Sequence, residues 1–304
     1  MKKSGLSFLL LLLILSGCDP QIGNPTFSPD GKSILFSINS KIYKIPVGGG
    51  KAQQIHRSDS YDFDPVYTPD GSKIVFASRK EGSKADIFVM NADGSGRRQL
   101  TQGSSDDRKP AVSSDGSTVY FHRIYGSNWS SALCSIKLDG ADLKEIIKAE
   151  ENTGFTISPH PDGDEILFSG VNSGGDDTHR NALRILSLKN PSEFRKVKPI
   201  FKTEPKDKWM TGITEARFSP DGKFVVFLWY MYNERKEHNQ IYIMDLESRK
   251  ARKIAEFSDD TDYVSFSPDG RKIIVSTGTF NYILTKLWTM NIDGSDLRRV
   301  PIKS

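Results

Sequence analysis

Aspartate residues that recur along the chain are the first candidates for chemistry in this sequence. Six of them stand in a recurring Pro-Asp-Gly turn or a close variant of it, at intervals of 40, 45, 47, 59 and 48 residues: Asp30, Asp70, Asp115, Asp162, Asp221 and Asp269. Gathered in one place, such carboxylates could bind a cation or transfer protons. The alternative, which we favour, is that each aspartate serves its own turn, because proline, aspartate and glycine suit consecutive positions of a type I turn with a glycine bulge.

Two of the six copies depart from the pattern of serine or threonine followed by P-D-G. The third, "SSDG" at residues 113–116, lacks the proline, and the fourth, "SPHPDG" at residues 158–163, is interpreted as carrying an insertion before Asp162. We expect these departures to reduce the rigidity of the turn and to leave the strands around it unchanged.

Four strand signals surround each copy of the turn, and residues 64–101 contain a complete set: "PVYT", "KIVFAS", "DIFVMN" and "RRQLT". Most of the second strands, such as "SILFS" and "KIVFA", are apolar at consecutive positions, which indicates that both faces of the strand are covered. The fourth strands are short and rich in lysine and arginine, as expected of an exposed sheet edge. The repeats are 40–59 residues long, and each one predicts a small sheet that is covered on both faces. Together they predict an all-β, six-bladed β-propeller of four-stranded blades over residues 25–304.

Strand order in such a propeller places the P-D-G turns and the later "ADGS" turns on one face. The opposite face receives the connections between blades and the loops between second and third strands, which are rich in acidic and aromatic residues. The predicted binding residues on that face are Asp62, Asp64, Asp106, Asp107, Trp129, Trp209, Trp229, Tyr230, Tyr232, Asp260, Asp262 and Tyr282. Aromatic rings supply buried area in an interface and charges supply orientation. The alternative is that the acids cap strand ends and the rings fill space between blades.

Signatures of catalysis or of a metal centre are weak. The five histidines are scattered, with no pair at metal-ligand spacing, and no G-x-S-x-G motif is present. "NADGSG" from Asn91 resembles the start of a calcium-binding loop, but its twelfth position is Gln102 and not glutamate. We therefore predict no catalytic residue, no metal site and no cofactor, and leave open a single channel cation such as Ca²⁺ held by loop carboxylates.

The repeated turn, the "IYVMN"-like strand and the "ADGS"-like turn together resemble the TolB-type β-propeller repeat, from about Pro25 to Ile302. The resemblance implies the propeller fold, but it does not define a function, since propellers of this type serve binding proteins, peptidases and sugar lyases. TolB itself carries an α/β domain before its propeller, and only about half a dozen residues separate Cys18 from the first blade here. We therefore expect a relative of TolB and not TolB proper.

The first residues predict a secretory signal peptide at residues 1–17: a basic start, an apolar run from Leu6 to Leu15, and "LSGC". The last four residues resemble the lipobox of bacterial lipoproteins, which implies cleavage before Cys18, acylation of Cys18 with chains such as palmitate, and a short tether at residues 18–24. Asp19 resembles the inner-membrane retention signal of enterobacterial lipoproteins, but the choice of membrane stays open. The alternative is an ordinary secreted protein with a chance cysteine.

Net charge and cysteine content exclude two classes of protein. The formal charge of +4 becomes +2 without Lys2 and Lys3, so no nucleic-acid-binding surface is expected. With Cys18 acylated, Cys134 is the only thiol left, which rules out a disulfide framework. Cys134 lies in a strand-like stretch and is predicted to be a small buried side chain.

These observations favour a monomeric, lipid-anchored propeller in the bacterial cell envelope, facing the periplasm. We expect it to bind an envelope protein or peptide without catalysis, through the acidic and aromatic loop face. A carbohydrate-active enzyme or glycan-binding protein is the alternative, with Trp129, Trp209 and Trp229 stacking on sugars and a pair of carboxylates doing acid–base work. A third interpretation, an assembly factor in a larger envelope complex, differs from the first only in having a permanent partner.

Overall fold

The computed structural model describes residues 23–126, 130–148, 156–169, 183–191, 194–202, 211–233, 236–257, 260–278 and 286–303. All regular secondary structure within these ranges is β-strand. In the same part of the chain, no helix is long and apolar enough to cross a membrane. The predicted signal peptide at residues 1–17 and the predicted lipidation site Cys18 lie outside the described residues.

The strands form six four-stranded antiparallel blades, and the first strand of each blade lies nearest the channel. Blade 1 contains β1 (Gly23–Phe27), β2 (Ser33–Ile38), β3 (Lys41–Pro46) and β5 (Gln53–Gln54); blade 2 contains β6 (Tyr61–Tyr67), β7 (Lys73–Arg79), β8 (Asp86–Asn91) and β9 (Arg98–Gln99). Blade 3 contains β10 (Asp106–Val112), β11 (Thr118–Tyr125), β12 (Ser130–Lys137) and β13 (Lys144–Ile147); blade 4 contains β14 (Ile157–Pro159), β15 (Glu165–Ser169), β16 (Leu183–Ser187) and β17 (Phe194–Val197). Blade 5 contains β19 (Thr211–Phe218), β20 (Phe224–Asn233), β21 (Lys236–Asp245) and β22 (Lys250–Phe257); blade 6 contains β23 (Asp260–Phe266), β24 (Lys272–Gly278), β25 (Lys286–Asn291) and β26 (Arg298–Val300). Three two-residue strands, β4 (Gly50–Lys51), β18 (Ile200–Phe201) and β27 (Ile302–Lys303), make parallel pairs at outer edges.

The second strand of each blade is apolar throughout because it is covered on both faces. In β2, Ile34 and Phe36 pack in a cluster shared with blade 6, whereas Leu35 between them packs in a cluster shared with blade 2. All three side chains are fully buried, and each such side chain contributes roughly 1.5–3 kcal/mol of burial free energy. Consecutive apolar residues are therefore required by the packing of blades against neighbours on both sides.

Six hydrophobic clusters hold the ring together, one at each junction between neighbouring blades. The same position of the second strand carries a fully buried phenylalanine in five blades: Phe36, Phe76, Phe121, Phe168 and Phe227. The six inner strands also contact one another in a closed circuit, β1 with β6 on one side and with β23 on the other. The prediction of a six-bladed propeller is confirmed.

The second tight turn of a blade joins that blade to the preceding one through the backbone. In blade 2, Gly94 has a φ of +90°, and a Cβ there would lie 2.1 Å from the carbonyl oxygen of Ile55 in blade 1. Gly294 of blade 6 has the same relation to Ile254 of blade 5, at 2.2 Å. Only glycine combines the left-handed conformation with so close an approach, so the "ADGS" turns are packing joints as well as chain reversals.

The ring closes at the equivalent joint between blade 6 and blade 1. Ile302–Lys303 pairs in parallel with Gly50–Lys51, and the N–H of Gly50 donates to the carbonyl oxygen of Pro301 at 2.9 Å. A Cβ on Gly49 would lie 2.4 Å from the ring of Pro301. The sequence does not indicate this closure, since its first and last copies of the repeat both look complete. The pairing is two residues long and depends on backbone atoms, so it leaves no side-chain pattern in the sequence.

The fourth tight turn contains no insertion, contrary to the prediction from "SPHPDG". The N–H of His160 donates to the carbonyl oxygen of Glu165, and the N–H of Gly163 donates to that of His160. Ser28 makes the same two backbone contacts in blade 1. His160 therefore occupies the position that serine or threonine holds in the other turns, and its ring nitrogen Nδ1 lies 2.7 Å from Asp162.

Candidate binding site at the channel mouth

The innermost strands place one side chain per blade at the same level of the central channel. These are the residues four positions before the first residue of each P-D-G turn: Asn24, Asp64, Lys109, Thr156, Glu215 and Tyr263. Three of the six have a left-handed backbone, with φ values of 43° at Asn24, 53° at Asp64 and 52° at Lys109. Each of these three precedes a proline and lies at an irregularity in strand pairing. This conformation costs free energy in residues other than glycine. Here it occurs at bulges of the strands that form the channel wall.

A cavity of 270 Å³ opens beside this ring of side chains. Blade 1 contributes Gly23, Ser37 and Ser40, blade 2 contributes Tyr61, Phe63, Asp64 and Arg79, blade 3 contributes Arg108 and Lys109, and blade 6 contributes Tyr263. Tyr61 begins β6 and faces Arg79 at the end of β7, while Ser40 lies between β2 and β3. The cavity is therefore at the end of the channel opposite the P-D-G turns.

Charges around the cavity are mostly compensated by neighbours. Arg108 makes two hydrogen bonds to Asp106, at 2.9 and 2.7 Å, and the ammonium of Lys109 lies 4.0 Å from Glu215. Asp64 accepts a hydrogen bond from the backbone N–H of Lys109. Burial raises the pKa values of the Asp64 and Glu215 carboxyls, and the cations nearby offset part of that effect.

Arg79 is the exception to this compensation. Its guanidinium lies over the ring of Tyr61, 5.1 Å from the ring centroid. None of the carboxylates in the described ranges is within ion-pair distance of it. A guanidinium that stacks on a ring keeps its N–H donors free in the plane. The cavity thus holds one cation with unused hydrogen-bonding capacity.

Four of the predicted binding acids line up in β6 and β10, but they do not form a free acidic rim. Asp62 is 2% exposed and accepts hydrogen bonds from the hydroxyls of Ser58 and Ser78. Asp107 is equally buried and makes two 2.8 Å hydrogen bonds to Arg123. Asp106 is bound by Arg108, and Asp64 is enclosed in the channel. These carboxylates are buried because a basic or hydroxyl group on the same or the neighbouring strand compensates each of them.

The aromatic residues predicted for the loop face do not all lie there. Trp229 is 4% exposed and packs against Phe201, with ring centroids 5.0 Å apart, in the junction between blades 4 and 5. It is therefore not available on the loop face. Tyr230 and Tyr232 belong to β20, and Asp260 begins β23, but their side chains lie outside the described part; Trp129, Trp209 and Tyr282 lie outside it entirely. Asp262 is exposed.

Several cavity residues were missed at the level of sequence, namely Tyr61, Phe63, Arg79, Arg108, Lys109 and Tyr263. They lie in strands, whereas the prediction concentrated on loops. A usable signal was present: Asp106 and Arg108 are two positions apart, so on a strand they share a face and can pair. Charged residues before Pro65 and Pro110 likewise mark the two bulges on the channel wall.

The six turn aspartates lie far from this cavity, on the opposite face, and each bonds within its own turn. Asp70 accepts hydrogen bonds from the hydroxyl of Thr68 at 2.6 Å and from the N–H of Ser72 at 3.0 Å. Asp115 has the same arrangement with Ser113 and Ser117. These hydrogen bonds lower the pKa of both carboxyls to about 2. These carboxylates therefore form hydrogen bonds within the turns that contain them.

Metal binding and thiol chemistry were the two remaining possibilities for a reactive site. In the ranges that the structure covers, no three His, Cys, Asp or Glu side chains are placed to hold a metal ion. Cys134 is buried, and burial raises the pKa of its thiol to about 12, so it stays protonated at neutral pH.

Comparison with known proteins agrees with the fold. A family model described as the TolB β-propeller domain matches residues 15–188, which is more than half of the chain. The Tol-Pal system protein TolB of Anaeromyxobacter dehalogenans is 35% identical over 91 residues, which make up 29% of this chain and 20% of that protein. The chain spans about half or less of the length of the curated relatives it matches.

Solved structures extend the likeness along most of the chain. The putative TolB from Agrobacterium tumefaciens superposes with a TM-score of 0.66 at 19% identity, covering 83% of this chain and 87% of that one. An oligogalacturonate lyase in complex with manganese superposes with a TM-score of 0.61 at 15% identity, covering 94% of this chain and 78% of that one. At such identities the likeness concerns the fold. Together with the match of the family model, it shows that the chain belongs to the TolB β-propeller domain family.

Proposed function

We propose that this chain is a non-enzymatic binding scaffold of the bacterial cell envelope that holds a segment of an envelope protein or peptide at the mouth of its channel. The observation that carries the proposal is the cavity beside Asp64 and Lys109, which combines aromatic rings with a cation that has unused donors. Pockets of this kind, largely preformed with a few polar groups, are typical of ligand sites.

The frame around the cavity favours binding with little reorganisation. The lining residues belong to strands or to the short turn at Ser40, and the strands are fixed by apolar packing on both sides. A site on rigid elements loses little conformational entropy when a partner docks. At 270 Å³ the cavity accommodates a side chain or a chain terminus and not a whole domain. The partner therefore inserts a short segment while the rest of it lies against the surrounding face.

An envelope location is supported by two features. Relatives in the family include proteins named for the Tol-Pal system, and the first residues match a lipoprotein signal with Cys18 as the acylated residue. Acylation would hold the propeller at a membrane surface, where partners are concentrated.

The carbohydrate-active alternative is less well supported. One of its three sugar-stacking residues, Trp229, is inside a blade junction. Its second requirement is a pair of free carboxylates facing one pocket, and Asp64 is the one carboxylate among the described residues that line the cavity. The likeness to an oligogalacturonate lyase concerns the fold.

Photo-crosslinking in intact cells tests the proposal. Benzoylphenylalanine replaces Tyr61 at the cavity in one variant and the exposed Lys32 on the opposite face in a second variant. The proposal expects a discrete protein adduct from position 61 and none from position 32. Equal adducts from both positions, or adducts from position 32 alone, would contradict it.

A further inference from the structure

Some hydrogen-bond donors that line the channel cavity have no acceptor among the residues that the structure describes. Arg108 and Lys109 are compensated by Asp106 and Glu215, which lie outside the lining. The Arg79 guanidinium lies over the Tyr61 ring and forms no hydrogen bond or ion pair with a described group, and the Ser40 hydroxyl has no hydrogen-bond partner among those groups. Two unused donors, a guanidinium and a hydroxyl, therefore line one small cavity.

An unused guanidinium selects its ligand by shape and charge. Its fork of N–H groups matches a carboxylate through two parallel hydrogen bonds, and stacking on a ring holds the fork in place. A serine hydroxyl adds a third donor to the same oxygens. The cavity is also lined by Phe63 and Tyr263, whose rings cover the apolar part of whatever carries the carboxylate. Among the described lining residues, three are cations and one is a carboxylate.

From this arrangement we propose that the cavity is a carboxylate-binding site in which Arg79 and Ser40 hold an acidic group of a peptide, either its C-terminal carboxylate or an aspartate or glutamate side chain. The inference rests on the proposed function, since it names the chemical group that a peptide partner inserts. It also reverses the polarity expected from sequence: the anion belongs to the partner and the cation to this chain.

Asp64 provides an internal check because it lines the same cavity. Its carboxylate repels an incoming anion when it is ionised. Replacement by asparagine removes the charge, keeps the size, and suits the left-handed backbone at this position, where φ is 53°. Removal of Arg79 and removal of Asp64 should therefore change binding in opposite directions.

The experiment measures the affinity of short peptides for the full chain by ligand-observed NMR. The probes are acetyl-trialanine with a free C-terminus, the same peptide as its amide, and acetyl-Ala-Glu-Ala amide, with galacturonate as a sugar acid. The proteins are the wild type, Arg79→Gln, Asp64→Asn and the control Lys80→Gln, which removes the same charge from the exposed neighbouring residue. Thermal melting establishes that each variant is folded.

We expect the wild type to bind one or both acidic peptides and not the neutral amide. Arg79→Gln should weaken binding about tenfold or more, as for loss of a charged hydrogen-bonded pair, while Lys80→Gln stays near the wild type and Asp64→Asn binds more tightly. The two acidic probes distinguish a chain terminus from a side chain. Equal binding of the amide, an Arg79→Gln variant with wild-type affinity, or a preference for galacturonate over every peptide would each overturn the inference. A cellular adduct at position 61 combined with an unaffected Arg79→Gln would leave the scaffold proposal standing and remove the carboxylate site alone.

Discussion

The backbone joint between blades can be tested at Gly94. A methyl group there would lie 2.1 Å from the carbonyl oxygen of Ile55 in the neighbouring blade. An ordinary carbon–oxygen contact needs about 3.3 Å, so the two segments must separate by roughly 1.2 Å. That shift disturbs the hydrogen bond from the N–H of Ile55 to Ile42, at 2.9 Å, and the contact of His56 Nδ1 with the carbonyl oxygen of Gly94, at 3.0 Å.

The expected cost follows from these contacts. Two weakened hydrogen bonds contribute about 2 kcal/mol, and a left-handed alanine adds about 1 kcal/mol. Gly82 in the same blade separates the two contributions, because its φ is +73° and a Cβ there meets nothing within 4 Å. Gly82→Ala should therefore lose about 1 kcal/mol of unfolding free energy, and Gly94→Ala about 3 kcal/mol.

Thermal melts of the two variants and the wild type measure this difference. An extra 2 kcal/mol lowers the melting temperature of Gly94→Ala by roughly 4–8 °C relative to Gly82→Ala, on the scale known for domains of 150–250 residues. Hydrogen exchange should become faster at residues 53–55, on the far side of the joint. Equal melting temperatures for Gly94→Ala and Gly82→Ala would refute the reasoning, since the close approach would then be relieved without cost.

Four further outcomes are expected. Gly49→Ala, which meets the Pro301 ring, should lower the melting temperature and expose the C-terminus to protease, whereas Gly48→Ala, with open space around it, should do neither. Asp70→Ala should lower stability at neutral pH without affecting peptide binding; because the folded-state pKa is lowered to about 2, the stabilisation by Asp70 is present above its ordinary pKa and is lost as the pH falls towards 2 in acid titrations monitored by circular dichroism. Burial raises the pKa of Asp86 to about 6, so wild-type stability should decrease as the pH rises from about 4 through 6, and Asp86→Asn should flatten that slope in denaturant titrations. Cys18→Ser should release the protein from membranes in cell fractionation; full membrane retention would contradict the lipoprotein prediction.

Local patterns were sufficient to predict the blades. The run of Ile34, Leu35 and Phe36 indicates a strand covered on both sides, and the structure places alternate members of that run against opposite neighbours. The tight turns follow from proline, aspartate and glycine because a turn is a contact among four or five consecutive residues. His160 shows the limit of this reasoning: a nitrogen replaces the usual hydroxyl at the first turn position, and the extra Ser-Pro before it imitates an insertion.

The sequence pattern indicates one end of the channel for the candidate residues, but it does not show which of their charges are compensated. The acids at Asp64, Asp106 and Asp107 do belong to the end of the channel that the loop pattern indicated. Spacing indicates the pair of Asp106 with Arg108 but not the longer-range pairs, because Arg123 faces Asp107 from the adjacent antiparallel strand and Glu215 approaches Lys109 from a blade more than a hundred residues away. Counting carboxylates therefore overstated the free negative charge at Asp62, Asp106 and Asp107.

The amino-acid sequence by itself determined the six repeats, their turns and the apolar strands that pack the blades, because those features depend on neighbours a few residues apart. Tertiary structure alone decided which charges are compensated, where a cavity opens, and how two residues at the C-terminus close the ring. The physical reason is that burial and ion pairing depend on which strands lie opposite one another across the channel. Arg79 illustrates the difference: its charge is evident in the sequence, and its lack of a described acidic partner is a property of the folded ring.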